Sequence, residues 1–142
     1  MNQDLAKNRI LEKSLDLERF AKELSGVLPK TAEDYKKSSI LIKSTVERRL
    51  QLISDTEIDI LAILYKNLKL KVVGEDMSLI TAFSDVLNGK TIEKIRRLRD
   101  LRNKLTHEYK SEQFDEEVFK IAGENTNQSS LISNIKHTLD NG

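Results

Sequence analysis

Apolar residues separated by charged residues recur at mixed helical spacings along the first part of the chain, between Asp4 and Leu24. Such spacing is typical of an amphipathic helix with one buried face. Ser25-Gly26 and Pro29, which follow this segment, favour the end of a helix. The pattern therefore predicts a first helix over 4–24 that packs against the rest of the chain.

A second and much longer helix is predicted to begin near Thr31. Asp34 stands three residues after this threonine, at the spacing of a capping pair, and no Gly or Pro follows until Gly74. Nearly every residue between Ile58 and Leu64 is apolar. Because a helix that is apolar all round needs cover on more than one side, we expect this part at the centre of a bundle, with a partner subunit as one source of cover.

Turn signals divide the remainder of the chain. Residues 72–76 are predicted to form a loop, followed by a short helix that runs to Leu87 and by a turn at Asn88-Gly89. Thr91 is predicted to open a helix whose apolar residues recur every three or four positions. A last helical region begins at the acidic residues 115–117, and polar residues after Gly123 break or weaken it.

The composition also favours a helical protein. The 142 residues are 33% charged and include one proline, five glycines and no tryptophan, which favours amphipathic helices over sheet. We therefore predict an all-α fold, an antiparallel bundle of four to five helices in a single domain over residues 1–142. Cysteine is absent, no apolar run approaches the roughly 20 residues of a membrane span, and the N-terminus does not resemble a signal peptide. A cytoplasmic protein is expected, with no disulfide and no thiolate metal site.

Positive charge is concentrated in one segment, which runs from Lys90 to Lys110. It contains three acidic residues and eight basic ones, a net charge of 8 − 3 = +5, although the whole chain carries only +1. Such a concentration suits a partner that bears phosphate groups. The basic residues are Lys90, Lys94, Arg96, Arg97, Arg99, Arg102, Lys104 and Lys110.

The end of this basic segment contains a guanidinium, an amide, an imidazole and a phenol within eight residues: Arg102, Asn103, His107 and Tyr109. If the segment is helical, Arg102 and Tyr109 fall on nearly the same face, and Asn103 and His107 stack one turn apart. Arg102 and His107 are then about 140° apart around the helix. A second copy of the helix, supplied by a dimer, would bring these two groups together.

The sequence lacks the residues that a metal site, a phosphate-binding loop or a serine nucleophile would need. Two histidines thirty positions apart and no cysteine argue against a zinc site, and neither a phosphate-binding Gly-rich loop nor a G-x-S-x-G nucleophile motif occurs. We assign His137 no function. What remains is acid–base chemistry by His107 with electrostatic help from Arg102. The structural alternative is a histidine that complements a helix dipole on a solvated basic face.

The pattern Arg102-Asn103-x-x-x-His107-x-Tyr109 resembles the R-x-x-x-x-H-x-Y motif of HEPN-domain toxins of the HepT type. The resemblance covers most of the chain and includes the long second helix with Val46-Glu47-Arg48-Arg49-Leu50-Gln51. Leu101 and Glu108 also resemble the residues that this family usually carries at these positions. Asp100-Leu101 departs from the Gly-Phe of many relatives.

The resemblance implies a metal-independent endoribonuclease, the toxin of a type II toxin–antitoxin pair, with Arg102, His107 and Asn103 as catalytic residues at a homodimer cleft. RNA, either tRNA or mRNA, is the implied substrate, and no cofactor is implied. It also implies a nucleotidyltransferase antitoxin as partner, which transfers AMP to Tyr109. The alternative is a non-catalytic subunit that binds nucleotide or partner in a nucleotidyltransferase complex. A bundle in which the motif is coincidental is a third, weaker alternative.

Four carboxylates of the second helix lie close to its apolar face: Glu47, Asp55, Glu57 and Asp59. We expect them in solvent or in ion pairs, because acidic residues are rarely buried without a partner. The functional alternative is that one of them orients Arg102 or His107 from the neighbouring helix. The spacing alone does not indicate which of the four carboxylates would do so.

Overall fold

The computed structural model describes residues 3–67, 80, 83, 87–106 and 112–141. No strand occurs among them, which confirms the all-α prediction. The predicted loop at 72–76 and most of the short helix before Leu87 lie outside the described residues. The helices are α1 (Gln3–Val27), α2 (Ala32–Lys36), α3 (Ile40–Asn67), α4 (Gly89–Lys104), α5 (Glu112–Glu124) and α6 (Ser129–Asn141).

Helices α1 and α3 form the longest antiparallel pair of the bundle. Two ion pairs mark their direction, since Lys13 Nζ lies 3.3 Å from Asp59 and Arg49 Nε lies 3.5 Å from Glu23. From Lys13 to Glu23 the paired positions advance along α1, whereas their partners run back along α3 from Asp59 to Arg49, so the two helices are antiparallel. Ion pairs that are partly exposed to solvent contribute little to stability, so these two mainly indicate how the helices are oriented.

The predicted long helix is wrong at its beginning, where the chain forms two helices instead of one. Thr31 caps the short α2 by accepting a hydrogen bond from the Asp34 amide at 3.1 Å. The Ser38 hydroxyl then donates to the Asp34 carbonyl at 2.8 Å, and the Ser39 hydroxyl accepts from the Ile42 amide at 3.2 Å. The Ser38 hydroxyl competes for a carbonyl at the end of α2, and Ser39 caps the next helix, so α3 starts only at Ile40.

Helix α4 begins two residues earlier than predicted. The side chain of Asn88 accepts a hydrogen bond from the Thr91 amide at 2.8 Å, so Asn88 is the N-cap and Gly89 the first helical residue. The predicted apolar stripe is confirmed, because its members are buried against the bundle. They are Ile92, Ile95, Leu98 and Leu101 within the helix and Leu105 at its C-cap.

Most of the apolar run of α3 is buried within this chain. Ile60, Leu61, Ile63 and Leu64 belong to one cluster of buried apolar side chains, to which the other helices also contribute. The chain's own helices therefore supply cover that we had partly expected from a partner subunit.

The C-terminal region is divided, as the polar residues after Gly123 indicated. Within 125–128 the Asn125 side chain donates to the Ile121 carbonyl at 2.8 Å, and the Gln128 side chain donates to the Asn125 carbonyl at 3.3 Å. These hydrogen bonds satisfy backbone groups where the helix ends, and α6 follows. In the part of the chain that the structure describes, no helix has the length and apolarity to cross a membrane.

Candidate active site

Arg102 lies in the last turn of α4 and is anchored to α3. Its Nε donates a hydrogen bond to Oδ1 of Asp55 at 3.1 Å, and its side chain is 26% exposed. This contact uses Nε. The two terminal nitrogens of the guanidinium have no hydrogen-bond partner among the described residues. Arginine binds phosphate oxygens through such nitrogens. The arrangement therefore orients a guanidinium and leaves donors for an anion.

Arg99 shares the carboxylate that holds Arg102. Its Nη1 lies 3.5 Å from the same Oδ1 of Asp55, and its side chain is 18% exposed. One carboxylate thus faces two guanidinium groups. We call Arg99, Arg102 and Asp55 the arginine cluster. The cluster lies in a partly desolvated position, where electrostatic attraction is stronger than in bulk water.

Other basic residues of the segment are paired with acidic residues, some of them from other helices. Arg97 forms two hydrogen bonds with Glu124, at 3.1 and 3.0 Å, and Lys104 Nζ lies 3.0 Å from Glu117. The segment's own net charge therefore overstates the field that an approaching anion meets. Further partners are Glu93 for Arg96, at 3.6 Å, and the Asn127 carbonyl for Lys94, at 3.1 Å.

Asn103 follows Arg102 but is exposed, and the helix ends at Lys104. The Leu105 amide still bonds to the Leu101 carbonyl at 2.9 Å, and the Thr106 hydroxyl donates to the Asn103 carbonyl at 2.8 Å. A hydroxyl bonded to the last turn in this way competes with further helical hydrogen bonds.

His107 and Tyr109 lie outside the described residues. The predicted stacking of His107 on Asn103 assumed an unbroken helix across this point, whereas α4 ends at Lys104. The structure thus brings together Arg102 and Asp55, leaves Asn103 exposed beside them, and does not test the rest of the motif.

Three of the four carboxylates of α3 lie in different environments. Asp55 pairs with Arg99 and Arg102, and Asp59 pairs with Lys13 of α1, as expected for partly exposed acids. The expectation fails for Glu57, which is 1% exposed and has no hydrogen-bond partner among the described residues for either carboxylate oxygen. Sequence reasoning missed Arg99, although Arg99 and Arg102 are three residues apart and so share a helix face. Which helix supplied their carboxylate depended on the packing.

A second electrostatic interaction between α3 and α4 joins the buried Glu57 and the partly buried Lys94. Burial raises the pKa of Glu57 to about 8, and the positive charge of Lys94 opposes that rise. Burial also lowers the pKa of Lys94, against the attraction of Glu57 and Glu124. Removal from water disfavours the charged form of each group. Glu57 therefore titrates well above the range of an isolated carboxylate.

Comparison with known proteins agrees with this architecture. The family model described as "Ribonuclease HepT-like" matches residues 11–134 of the chain. Among solved structures, the chain is similar to the tri-AMPylated HEPN toxin of Shewanella oneidensis in complex with MNT antitoxin. That similarity has a TM-score of 0.72 at 17% sequence identity and covers 99% of this chain and 96% of the other. It confirms the fold, a HEPN-like helical bundle. No curated protein sequence matches the chain.

Proposed function

Because the chain belongs to the HepT-like ribonuclease family, we propose that it is a metal-independent endoribonuclease, the toxin of a type II toxin–antitoxin pair that acts in the cytoplasm. Arg102 and His107 are the catalytic residues of this proposal, with Asn103 beside them, and tRNA or mRNA is the substrate. The observation that carries it is the Nε contact of Arg102 with Asp55, at 3.1 Å. This contact orients a guanidinium five residues before the only histidine of the motif.

The proposed reaction is an internal transfer at a phosphodiester. The ribose 2′-oxygen forms a bond to phosphorus while the bond from phosphorus to the 5′-oxygen breaks. The imidazole of His107 accepts the proton of the 2′-hydroxyl, and an imidazolium donates a proton to the leaving 5′-oxygen. The terminal nitrogens of Arg102 stabilise the charge that develops on the phosphoryl oxygens. The products are a 2′,3′-cyclic phosphate and a free 5′-hydroxyl.

A homodimer is part of the proposal. Acid and base are both required during the reaction, and two copies of His107 in one cleft would supply an imidazole and an imidazolium together. Two copies of the arginine cluster would then face the same RNA strand. The support is the resemblance to HepT-type toxins, since most of the apolar run of α3 is already buried within one chain.

The test is incubation of the purified protein with total cellular RNA or tRNA in EDTA, followed by analysis of the product ends. Cleavage that leaves 2′,3′-cyclic phosphates is expected. A variant with both Arg102 and His107 replaced by alanine controls for contaminating nuclease. If a folded wild-type dimer that carries no AMP leaves the RNA intact, the nuclease proposal is wrong, and a non-catalytic binding subunit of a nucleotidyltransferase complex takes its place.

We also propose that a nucleotidyltransferase antitoxin silences the protein by transferring AMP to Tyr109. The support is the solved HEPN toxin of similar fold, which is tri-AMPylated and in complex with MNT antitoxin. A phosphodiester on Tyr109 would add negative charge close in sequence to Arg102 and compete with the RNA backbone. After incubation with the nucleotidyltransferase and ATP, the wild type should lose cleavage, whereas Tyr109→Phe should keep it. Equal silencing of both proteins would contradict Tyr109 as the acceptor.

Asp55 should act as a positioning residue for Arg102. Replacing Asp55 by alanine removes the carboxylate that orients the guanidinium, and we expect kcat to fall by about 10- to 100-fold, as for a misplaced catalytic group. The KM for RNA should stay unchanged or fall, because the arginine cluster becomes more positive. Steady-state kinetics on a defined RNA would measure both values. Asp59→Ala, which removes an exposed acid of α3 paired with Lys13, is the matched control. Equal losses in the two variants would argue against a positioning role.

A further inference from the structure

Arg48 lies on the face of α3 that carries Asp55. The two residues are seven positions apart, which places them within about 20° around the helix and about 10 Å apart along its axis. Arg48 is exposed. Arg48 therefore lies on the same face of α3 as Asp55, about two helical turns away.

The contacts of Arg48 differ from those of the neighbouring arginine. Nη1 of Arg48 lies 3.4 Å from the side-chain oxygen of Gln51, on the same helix, and no carboxylate partner of Arg48 occurs among the described residues. Arg49 instead pairs with Glu23 of α1 at 3.5 Å, and so belongs to the α1–α3 interface. An amide does not neutralise a guanidinium, so no group in the described part of the chain offsets the charge of Arg48.

The packing of α3 on α4 places Arg48 relative to the site. Asp55 lies beside Arg102, whereas Glu57, two residues further along α3, interacts with Lys94, eight residues before Arg102 on α4. The two helices are thus antiparallel. Moving from Asp55 back to Arg48 leads towards the C-terminal end of α4, the end from which the chain continues to the remainder of the motif.

We propose that Arg48 binds a second phosphate of the RNA strand whose scissile phosphate lies at Arg102. This inference rests on the proposed nuclease function. Arg102 and Arg48 place two guanidinium groups in a row along α3 and the end of α4. A single RNA strand carries a negative charge at every nucleotide, and a positive surface along its path binds it without reading its sequence. Arg48 contributes to substrate affinity and not to the chemical step.

The experiment measures binding of a fluorescent single-stranded 2′-O-methyl RNA, which lacks the nucleophilic hydroxyl, by anisotropy at several KCl concentrations. Arg48→Ala should weaken binding several-fold at low salt and reduce the slope of log Kd against log salt by about 0.7, the value for one phosphate contact on a single strand. The matched control is Arg9→Ala, which removes an exposed arginine of α1 that has no carboxylate partner among the described residues. It should leave affinity and slope unchanged.

The outcomes separate this inference from the function on which it rests. A wild-type protein that neither binds this RNA nor cleaves RNA in EDTA overturns both. A wild-type protein that binds and cleaves, with an Arg48→Ala variant of the same affinity and salt slope, overturns the role of Arg48 alone. If Arg48→Ala changes only dimer formation or binding of the nucleotidyltransferase, Arg48 contacts protein and the inference is wrong. Equal weakening by Arg9→Ala also overturns it, because the effect would then be one of net charge.

Discussion

Replacing His107 by alanine is expected to lower the rate of RNA cleavage by about 10²- to 10⁴-fold, the usual contribution of a general acid–base group. The reason is that imidazole titrates near neutral pH and can both accept and donate the proton. In the wild type the rate should also follow a bell-shaped pH profile, since one form of the imidazole accepts the proton and the other donates it. The measurement is the single-turnover rate on a defined RNA in EDTA.

The affinity of His107→Ala for uncleavable RNA should stay close to that of the wild type, because the arginine cluster and Arg48 remain. His137→Ala is the matched control, since His137 lies in α6, outside the motif. It should cleave at the wild-type rate. Wild-type cleavage by His107→Ala, or equal losses in the two variants, would remove His107 from the mechanism.

Replacing Glu57 by glutamine is expected to stabilise the protein at alkaline pH, although no catalytic contact is assigned to Glu57. Glu57 is 1% exposed, and neither oxygen of its carboxyl group has a hydrogen-bond partner within the described part of the chain. Burial raises its pKa from 4.5 to about 8. The native protein therefore holds a proton on Glu57 across a pH range in which the unfolded chain has released it. The neutral amide of glutamine resembles that protonated form in shape and charge.

The raised pKa determines the direction of the pH dependence. Its contribution to stability is fully present below pH 4.5 and is lost as the pH rises towards 8, because in that range the native state binds more protons than the unfolded state. The slope is about 1.4 kcal/mol per pH unit between the two pKa values, so the free energy of unfolding should fall by on the order of 4 kcal/mol over this range. The pKa of about 8 already includes the positive charge of Lys94, which favours the ionised carboxylate and so limits the loss.

Urea unfolding of wild type and variant at several pH values checks this prediction. The difference in free energy of unfolding, Glu57→Gln minus wild type, should be small at pH 5 and should grow towards pH 8.5. Comparing the two proteins cancels the titration of groups that they share, apart from Lys94 and, through it, Glu124. Asp59→Asn, in the same helix but exposed and paired with Lys13, should give no such growth. A difference that is independent of pH would mean that Glu57 is ionised in the native protein.

Helix existence and type were predictable because they depend on local patterns. The apolar stripe of α4 is read within a few residues and agrees with the structure, whereas the predicted turn at Asn88-Gly89 proves to be the N-cap and first residue of that helix. The long second helix was predicted wrongly because short polar side chains redirect the backbone. Ser38 and Ser39 separate α2 from α3. A hydrogen bond between a hydroxyl and a nearby backbone group can end a helix without changing the spacing of apolar residues, so hydrophobic periodicity does not reveal it.

The sequence by itself determined the all-α class, the concentration of basic residues on one helix, and the motif that relates the chain to HepT-type toxins. These features depend on residue order alone. Only the tertiary structure decided which carboxylate meets which cation. Asp55 and Glu57 are two residues apart on one helix, yet Asp55 orients Arg102 at the surface and Glu57 is buried near Lys94. Positions two apart lie about 200° apart around a helix, so their environments depend on which neighbouring helix packs against each face.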